Sequence, residues 1–275
     1  MSQNVLVVHG GGPTAVINAS LYGVIEEAKR NPEVGKVYGA IGGTGAIFSE
    51  TFIDLTSFDD EKLKLLLHTP ASAIGSSRYP LYEKDYEKMV DIFKKHDIKY
   101  VLLNGGNGTM DACGHIYEVC KDQDIKVVGI PKTIDNDIAM TDHSPGYGSA
   151  ARFIAASTQE VGEDVKSLPI HVCIMEAMGR NAGWITAASA LARRKQGDAP
   201  HLIYLPERNF NEDEFLEDVS RLQKKQGGVV VLVSEGLHDA NGESIVPPIF
   251  KSERAVYYGD VSSHLANLVR SQERR

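Results

Sequence analysis

Short runs of apolar, mostly β-branched residues recur along the chain, and most break off at a turn rich in glycine or proline before a stretch of helical period begins. That alternation most constrains the fold, because each such strand and helix must bury its apolar side by stacking as a βαβ unit on a largely parallel sheet. Val5-Leu6-Val7-Val8, Lys36 to Ile41, Tyr100 to Leu103 and Val127 to Ile130 read as strands of a first half, with helices over Ala15 to Lys29, Lys84 to Lys95 and Met110 to Cys120. In the first of these helices Val16, Leu21, Val24, Ile25 and Ala28 fall on one face. Pro131, with no backbone donor, ends the fourth strand. After a loop rich in Asp, Gly and Pro, Asp135 to Gly148, the pattern restarts. Its helices are expected at about Ser149 to Val165, Asn181 to Arg194 and 211 to 226, and its strands at His171 to Met175, Leu202 to Leu205 and Val229 to Val233. The last residues, Ser271 to Arg275, read as still helical. The expected architecture is α/β, two Rossmann-like three-layer domains with mostly parallel sheets, spanning 1–145 and 146–275. No segment recurs at a fixed period.

Composition narrows the partners. The 275 residues carry 29 Lys and Arg against 37 Asp and Glu, a net charge of −8, which repels nucleic acid and anionic lipid in bulk. Neither is an expected partner, and an anionic small substrate must meet a local positive patch. Cys113, Cys120 and Cys173 have no metal-type spacing and fit free thiols in a reducing compartment. There is no basic start followed by an apolar targeting stretch, and no uncharged apolar run of about 18 residues. The expected location is the cytoplasm.

Chemistry concentrates at the strand ends. Gly10 to Gly12 follow the first strand, so unhindered amides and a positive helix end converge where a phosphate could sit; a simple tight turn is the alternative. Asn104-Gly105-Gly106-Asn107-Gly108-Thr109 repeats the arrangement, and two such turns on one sheet edge could face one polyphosphate. Asn107 can offer an oxygen to hydrated magnesium, while Thr109 can cap a helix starting at Met110 or touch ligand. In Pro131-Lys132-Thr133-Ile134-Asp135-Asn136-Asp137, Asp135 can accept the proton of a sugar hydroxyl and Asp137 can hold the metal. Lys132 adds charge for a phosphoryl group in flight; an Asx-rich turn is the competing reading. Arg180, in Met178-Gly179-Arg180, offers a guanidinium fork ahead of the helix expected from Asn181. Arg78 is a second candidate phosphate partner, Glu235 can accept from sugar hydroxyls or lie solvated in a loop, and His171 reads as structural.

Taken together, Gly-Gly-Asn-Gly-Thr, Pro-Lys-Thr-Ile-Asp-Asn-Asp and Met-Gly-Arg-Asn-Ala-Gly-Trp make the chain resemble the phosphofructokinase family over essentially its whole length. Lipid and NAD kinases share the first motif type but not the other two. The resemblance implies magnesium-dependent transfer of a phosphoryl group to the 1-hydroxyl of fructose 6-phosphate, as in glycolysis, with a donor domain at 1–145 and a sugar-phosphate domain at 146–275. By the same resemblance Asp135 is the proton acceptor, Thr133 touches the sugar phosphate and Asp137 lies near magnesium with Asn107, and Lys132 and Arg180 are the further catalytic candidates. Met178, Gly179, Arg180 and Glu235 would hold fructose 6-phosphate, and Gly11, Arg78, Gly105, Gly106, Asn107, Gly108 and Thr109 would face the donor.

Two positions divide the family between ATP and pyrophosphate. Gly108 leaves room for a nucleotide, whereas Lys132 resembles the pyrophosphate type. The steric term weighs more, so ATP is the expected donor and pyrophosphate the alternative. Asn107 stands where many members have aspartate, and His171 where many have an arginine reaching the sugar phosphate. The family's C-terminal arginine-rich segment is not found in the sequence, so a non-catalytic ligand-binding or regulatory subunit is a further alternative. The resemblance implies a homodimer or homotetramer.

Overall fold

The computed structural model describes residues 3–251 and 256–273. The chain divides into two compact units, Met1–Thr133 and Ile134–Arg275. The first unit contains, in chain order, β1 (Gln3–Gly10), α1 (Ala15–Arg30), β2 (Val34–Ala40), α2 (Gly45–Phe48), β3 (Phe52–Asp54), α3 (Asp60–Lys64), α4 (Glu83–Lys95), β4 (Ile98–Gly105), α5 (Asn107–Cys120) and β5 (Lys126–Pro131). Its sheet runs β3-β2-β1-β4-β5, parallel except for the antiparallel edge strand β3.

Strand β1 explains the layering. Alternate side chains leave opposite faces of a strand. Val5 and Val7 pack with Leu21 and Ile25 of α1. Leu6 and Val8 pack on the other side with Met89 and Phe93 of α4 and Ile116 and Cys120 of α5. A strand apolar on both faces is thereby covered on both, which is what its unbroken hydrophobic run requires.

The second unit repeats the scheme with its strands divided between two sheets: α6 (Tyr147–Ser167), β6 (Val172–Ala177), α7 (Trp184–Ala188), β7 (Leu202–Tyr204), α8 (Glu212–Gln226), β8 (Val229–Ser234), β9 (Pro248–Lys251), β10 (Val256–Tyr258) and α9 (Val261–Glu273). Strands β6, β8 and β7 form a parallel sheet with β8 central, and β9 and β10 pair antiparallel. Val229, Val231 and Val233 face Phe215 and Val219 of α8 and Val261 and Leu265 of α9. Val230 and Leu232 face Ile154 of α6 and Ile185 and Ala188 of α7. Asn211 caps α8, its side-chain oxygen accepting from the amides of Asp213 and Glu214 at 2.9 and 3.1 Å.

Several expectations need correction. The boundary falls at Thr133/Ile134, not 145/146, because the intervening loop closes on itself and Ile134 packs against the cluster that includes Ala151 and Ile154. The helix expected from Asn181 to Arg194 covers only Trp184–Ala188, followed by a 3-10 turn at Ser189–Ala192. Residues 181–183 belong instead to the strand exit, so Arg180 stands in a loop rather than at a helix start. Helix α5 begins at Asn107 with Gly106 as its cap residue, so Thr109 lies inside the helix and does not cap it. The edge strand β3 and the β9-β10 hairpin were not anticipated. The terminal helix is described as far as Glu273, and Arg274 and Arg275 lie outside the described residues.

Candidate active site

In the first unit three adjacent strands, β1, β4 and the edge strand β5, end level with one another, Gly10 beside Gly105 and Gly105 beside Pro131. Their exits are the Gly11–Pro13 turn, the start of α5, and Lys132-Thr133, at the carboxyl ends of the strands where an open α/β sheet takes its ligands. A fourth segment joins them. Gly10 bridges to Ser77, the Gly11 amide donates to the Ser77 carbonyl at 3.2 Å, and the Ser76 hydroxyl donates to the Gly11 carbonyl at 2.7 Å. The expected donor-facing residues of this unit, Gly11, Arg78 and the residue 105–109 turn, are thus brought to one edge.

Close backbone approach fixes the glycines. A Cβ on Gly105 would lie 2.5 Å from the Gly10 carbonyl oxygen and 2.4 Å from the Thr109 hydroxyl, and Gly11 sits at φ +73°. Gly108 has nothing within 4 Å of where its Cβ would be, so room remains beside it. Asn107 and Gly108 are exposed on the first turn of α5. Lys132 is only 6% exposed; its ammonium donates to the Gly12 carbonyl, and its amide donates to the Gly105 carbonyl at 2.9 Å. A buried cation therefore lies along the glycine turn. Arg78 is exposed on an open groove with Gly11, Pro13, Ser72 and Ser76.

Beneath the turns lies a layer of buried polar side chains that sequence reasoning missed. Asn104 donates to the Ile17 carbonyl at 2.9 Å, tying β4 to α1. Asn18 donates to the carbonyls of Thr69 and Ala71 at 2.7 and 3.0 Å and accepts from the Ala73 amide at 2.8 Å. His9 Nδ1 lies 2.7 Å from the Ser72 hydroxyl. Burial, with the Lys132 charge adding to it, pushes the His9 imidazole down to about 4, so the ring is neutral at pH 7. The available signal was polarity out of place: an asparagine within the apolar stripe of α1, and a histidine and an asparagine closing apolar strands.

In the second unit, Asp135 and Asp137 flank Asn136, which takes φ +59°. The Asn136 carbonyl oxygen accepts from the Ser144 amide at 2.7 Å and its amide group donates to the Asp142 carbonyl at 3.3 Å, closing the loop. Both aspartates are half-buried, each with one carboxylate oxygen shielded from solvent.

The sugar-phosphate candidates of this unit meet at the ends of β6 and β8, where Ala177 pairs with Ser234. The Gly179 amide donates to Glu235 Oε1 at 3.2 Å, and the Ser234 hydroxyl donates to the Gly179 carbonyl at 2.9 Å while accepting from the Gly236 amide at 3.1 Å. Arg180 Nη2 lies 3.9 Å from Glu235 Oε2, and its Cζ lies 5.9 Å from the centre of the Tyr258 ring. Met178 and Arg180 are exposed beside this network. Gly236 admits no side chain, since its Cβ would fall 1.7 Å from the Arg180 carbonyl oxygen. His171 is exposed just ahead of β6, at the opposite end of that strand from Met178, and stands outside the cluster. Ser234, Gly236 and Tyr258 were not singled out in sequence.

The family model for phosphofructokinase matches residues 4–273. The chain belongs to the phosphofructokinase family. Pyrophosphate--fructose 6-phosphate 1-phosphotransferase of Rhodospirillum rubrum is 42% identical over 259 residues, covering 94% of this chain and 64% of that protein. The crystal structure of a pyrophosphate-dependent phosphofructokinase from Nitrosospira multiformis superposes with a TM-score of 0.82 at 35% identity, over 99% of this chain and 67% of that one. An ATP-dependent 6-phosphofructokinase of Amycolatopsis methanolica is 30% identical, over 86% of this chain and 52% of that protein. The chain spans a little under two thirds of the Rhodospirillum protein's length. No helix among the described residues is long and apolar enough to cross a membrane.

Proposed function

We propose that this phosphofructokinase-family chain transfers a phosphoryl group from pyrophosphate to the 1-hydroxyl of fructose 6-phosphate, giving fructose 1,6-bisphosphate and inorganic phosphate. The observation that carries the choice of donor is the buried Lys132 ammonium lying along the Gly11–Pro13 turn. A fixed cation beside the turn favours a compact, highly charged anion. This replaces the ATP expected from Gly108: space beside Gly108 permits a nucleotide without requiring one, and the more similar relatives are named for pyrophosphate.

In this reading Gly11, Arg78, Lys132 and the 105–109 turn bind the donor. Met178, Gly179, Arg180 and Glu235 bind the sugar phosphate, with Thr133 contributing. Asp135 takes the proton from the 1-hydroxyl as its oxygen bonds to phosphorus, and phosphate leaves with the electron pair of the broken P–O bond. Asn107 in the first unit and Asp137 in the second are each an oxygen donor of the kind that suits magnesium, a hard cation usually held by one or two protein oxygens, substrate phosphates and water. When bound, the ion would neutralise phosphate charge.

Turnover with pyrophosphate and with ATP at matched magnesium tests the donor: pyrophosphate should support the reaction and ATP little or none, and the reverse order would return the site to ATP. Asp135→Asn should lower turnover at least about 100-fold. Near wild-type turnover in that variant would remove Asp135 as the base. Binding of pyrophosphate without turnover in the intact protein would favour a regulatory subunit.

A further inference from the structure

We propose that His9 is a positioning residue for the phosphoryl donor, acting through Ser72 to hold the 72–78 loop against the end of β1. The inference rests on the donor reading above, but its geometry is independent of it. His9 is fully buried at the penultimate position of β1, one residue before the first glycine of the turn. The Ser72 hydroxyl has a single hydrogen. That hydroxyl donates to the Gly75 carbonyl at 2.7 Å, so toward His9 it can only accept. The proton between them therefore sits on His9 Nδ1, and one tautomer is fixed.

What this bond holds is the pivot of the loop. The Gly75 amide returns a hydrogen bond to the Ser72 carbonyl at 3.1 Å, Gly75 takes φ +73°, and the Gly42 amide donates to the Ile74 carbonyl at 2.8 Å. From that pivot the chain continues into Ser76, Ser77 and Arg78. Ser76 and Ser77 are the residues that bond both polar groups of the Gly11 backbone. Asn18 secures the loop as far as Ala73; beyond that point the His9–Ser72–Gly75 relay, together with the Gly42 bond to the buried Ile74 and the Thr44 hydroxyl 3.3 Å from that of Ser77, sets where the second wall of the donor turn stands. The relay leaves His9 Nε2 as a bare acceptor, buried without a hydrogen-bond partner. Nδ1 is thus the ring's one hydrogen-bonded atom, and a side chain that reproduces only the Nδ1 donor should replace the ring.

The test compares His9→Asn, which can place an amide donor near the Nδ1 position, with His9→Leu and with Ser72→Ala, which breaks the relay without touching the buried ring. Two readouts are taken on the intact protein: amide hydrogen exchange across residues 72–78 and Gly11, and the pyrophosphate KM against the fructose 6-phosphate KM and kcat. His9→Leu, which removes one hydrogen bond, and Ser72→Ala, which removes two, should each speed exchange in 72–78 and raise the pyrophosphate KM, His9→Leu between about threefold and tenfold and Ser72→Ala by at least as much, with the sugar KM unchanged. His9→Asn should restore both. Unchanged exchange in Ser72→Ala, or a KM shift falling equally on both substrates, overturns the proposal. If the unaltered protein neither binds nor turns over pyrophosphate, the donor reading fails, while the exchange comparison still decides whether His9 holds the loop.

Discussion

His9 also bears on stability. Its imidazole titrates at about 4 in the folded chain against 6.5 when exposed. The unfolded chain thus binds the extra proton first, and folding stability should fall as pH drops from about 6.5 toward 4, by up to 1.4 kcal/mol per pH unit. Above pH 7 the ring is neutral in both states and contributes no slope. Comparing denaturant titrations of the parent and His9→Asn at pH 7 and pH 5 should show a shallower acid loss in the variant, by about 2 kcal/mol over that interval. An identical loss in both would mean that the ring is not held neutral. The glycines divide by what surrounds them. Gly105→Ala drives a methyl into the Gly10 carbonyl and should destabilise the protein by at least about 1–3 kcal/mol, whereas Gly12→Ala, with nothing within 4 Å, should change stability by less than about 0.5 kcal/mol. Thermal denaturation of the two variants checks the contrast.

Elements with a strong apolar period were readable from sequence, and those set by their neighbours were not. Strand β8 is an unbroken run of Val229-Val230-Val231-Leu232-Val233 and is buried throughout, so its two covered faces follow from composition alone. Helix α8 announces itself through Asn211, three acidic residues in the first turn, two lysines in the last and Gly227 beyond. The stretch after β6 did not. Asn181 to Arg194 is helical in composition, but Gly179 at φ +111° and the hydrogen bonds joining it to Glu235 and Ser234 spend residues 178–183 on a strand exit, and only a short helix remains. Strand β3, three residues long, becomes a strand only because Tyr38 to Ala40 present an open edge. If the β6–β8 exit is set by contact, Gly236→Ala should displace Arg180 and disturb sugar-phosphate binding more than donor binding. Isothermal titration with fructose 6-phosphate and with pyrophosphate would separate the two, and an equal loss of both would point to general unfolding.

At the scale of the whole molecule each unit carries its own apolar layers on the two faces of its sheet, and Phe93 in the first and Phe215 in the second are fully buried in one of them. Phe93→Ala or Phe215→Ala should each cost about 3–5 kcal/mol in denaturant titration, while Phe153→Ala, at an exposed site of α6, should cost less than about 0.5 kcal/mol. The family resemblance implies self-association, so sedimentation of the chain at micromolar concentration should give a dimer or tetramer; a monomer would remove that expectation.

The sequence by itself determined the α/β class, most of the element order and the residues at the strand ends, because hydrophobic period and glycine placement are local properties of a chain. Only the tertiary structure decided which of those ends lie side by side, that His9 and Asn18 hold the loop around Ser72, and that Asn104 ties β4 to α1. Those roles depend on hydrogen bonds between residues many positions apart, from 51 for Asn18 and Thr69 to 87 for Asn104 and Ile17, and pairing at that distance leaves no periodic trace in the chain.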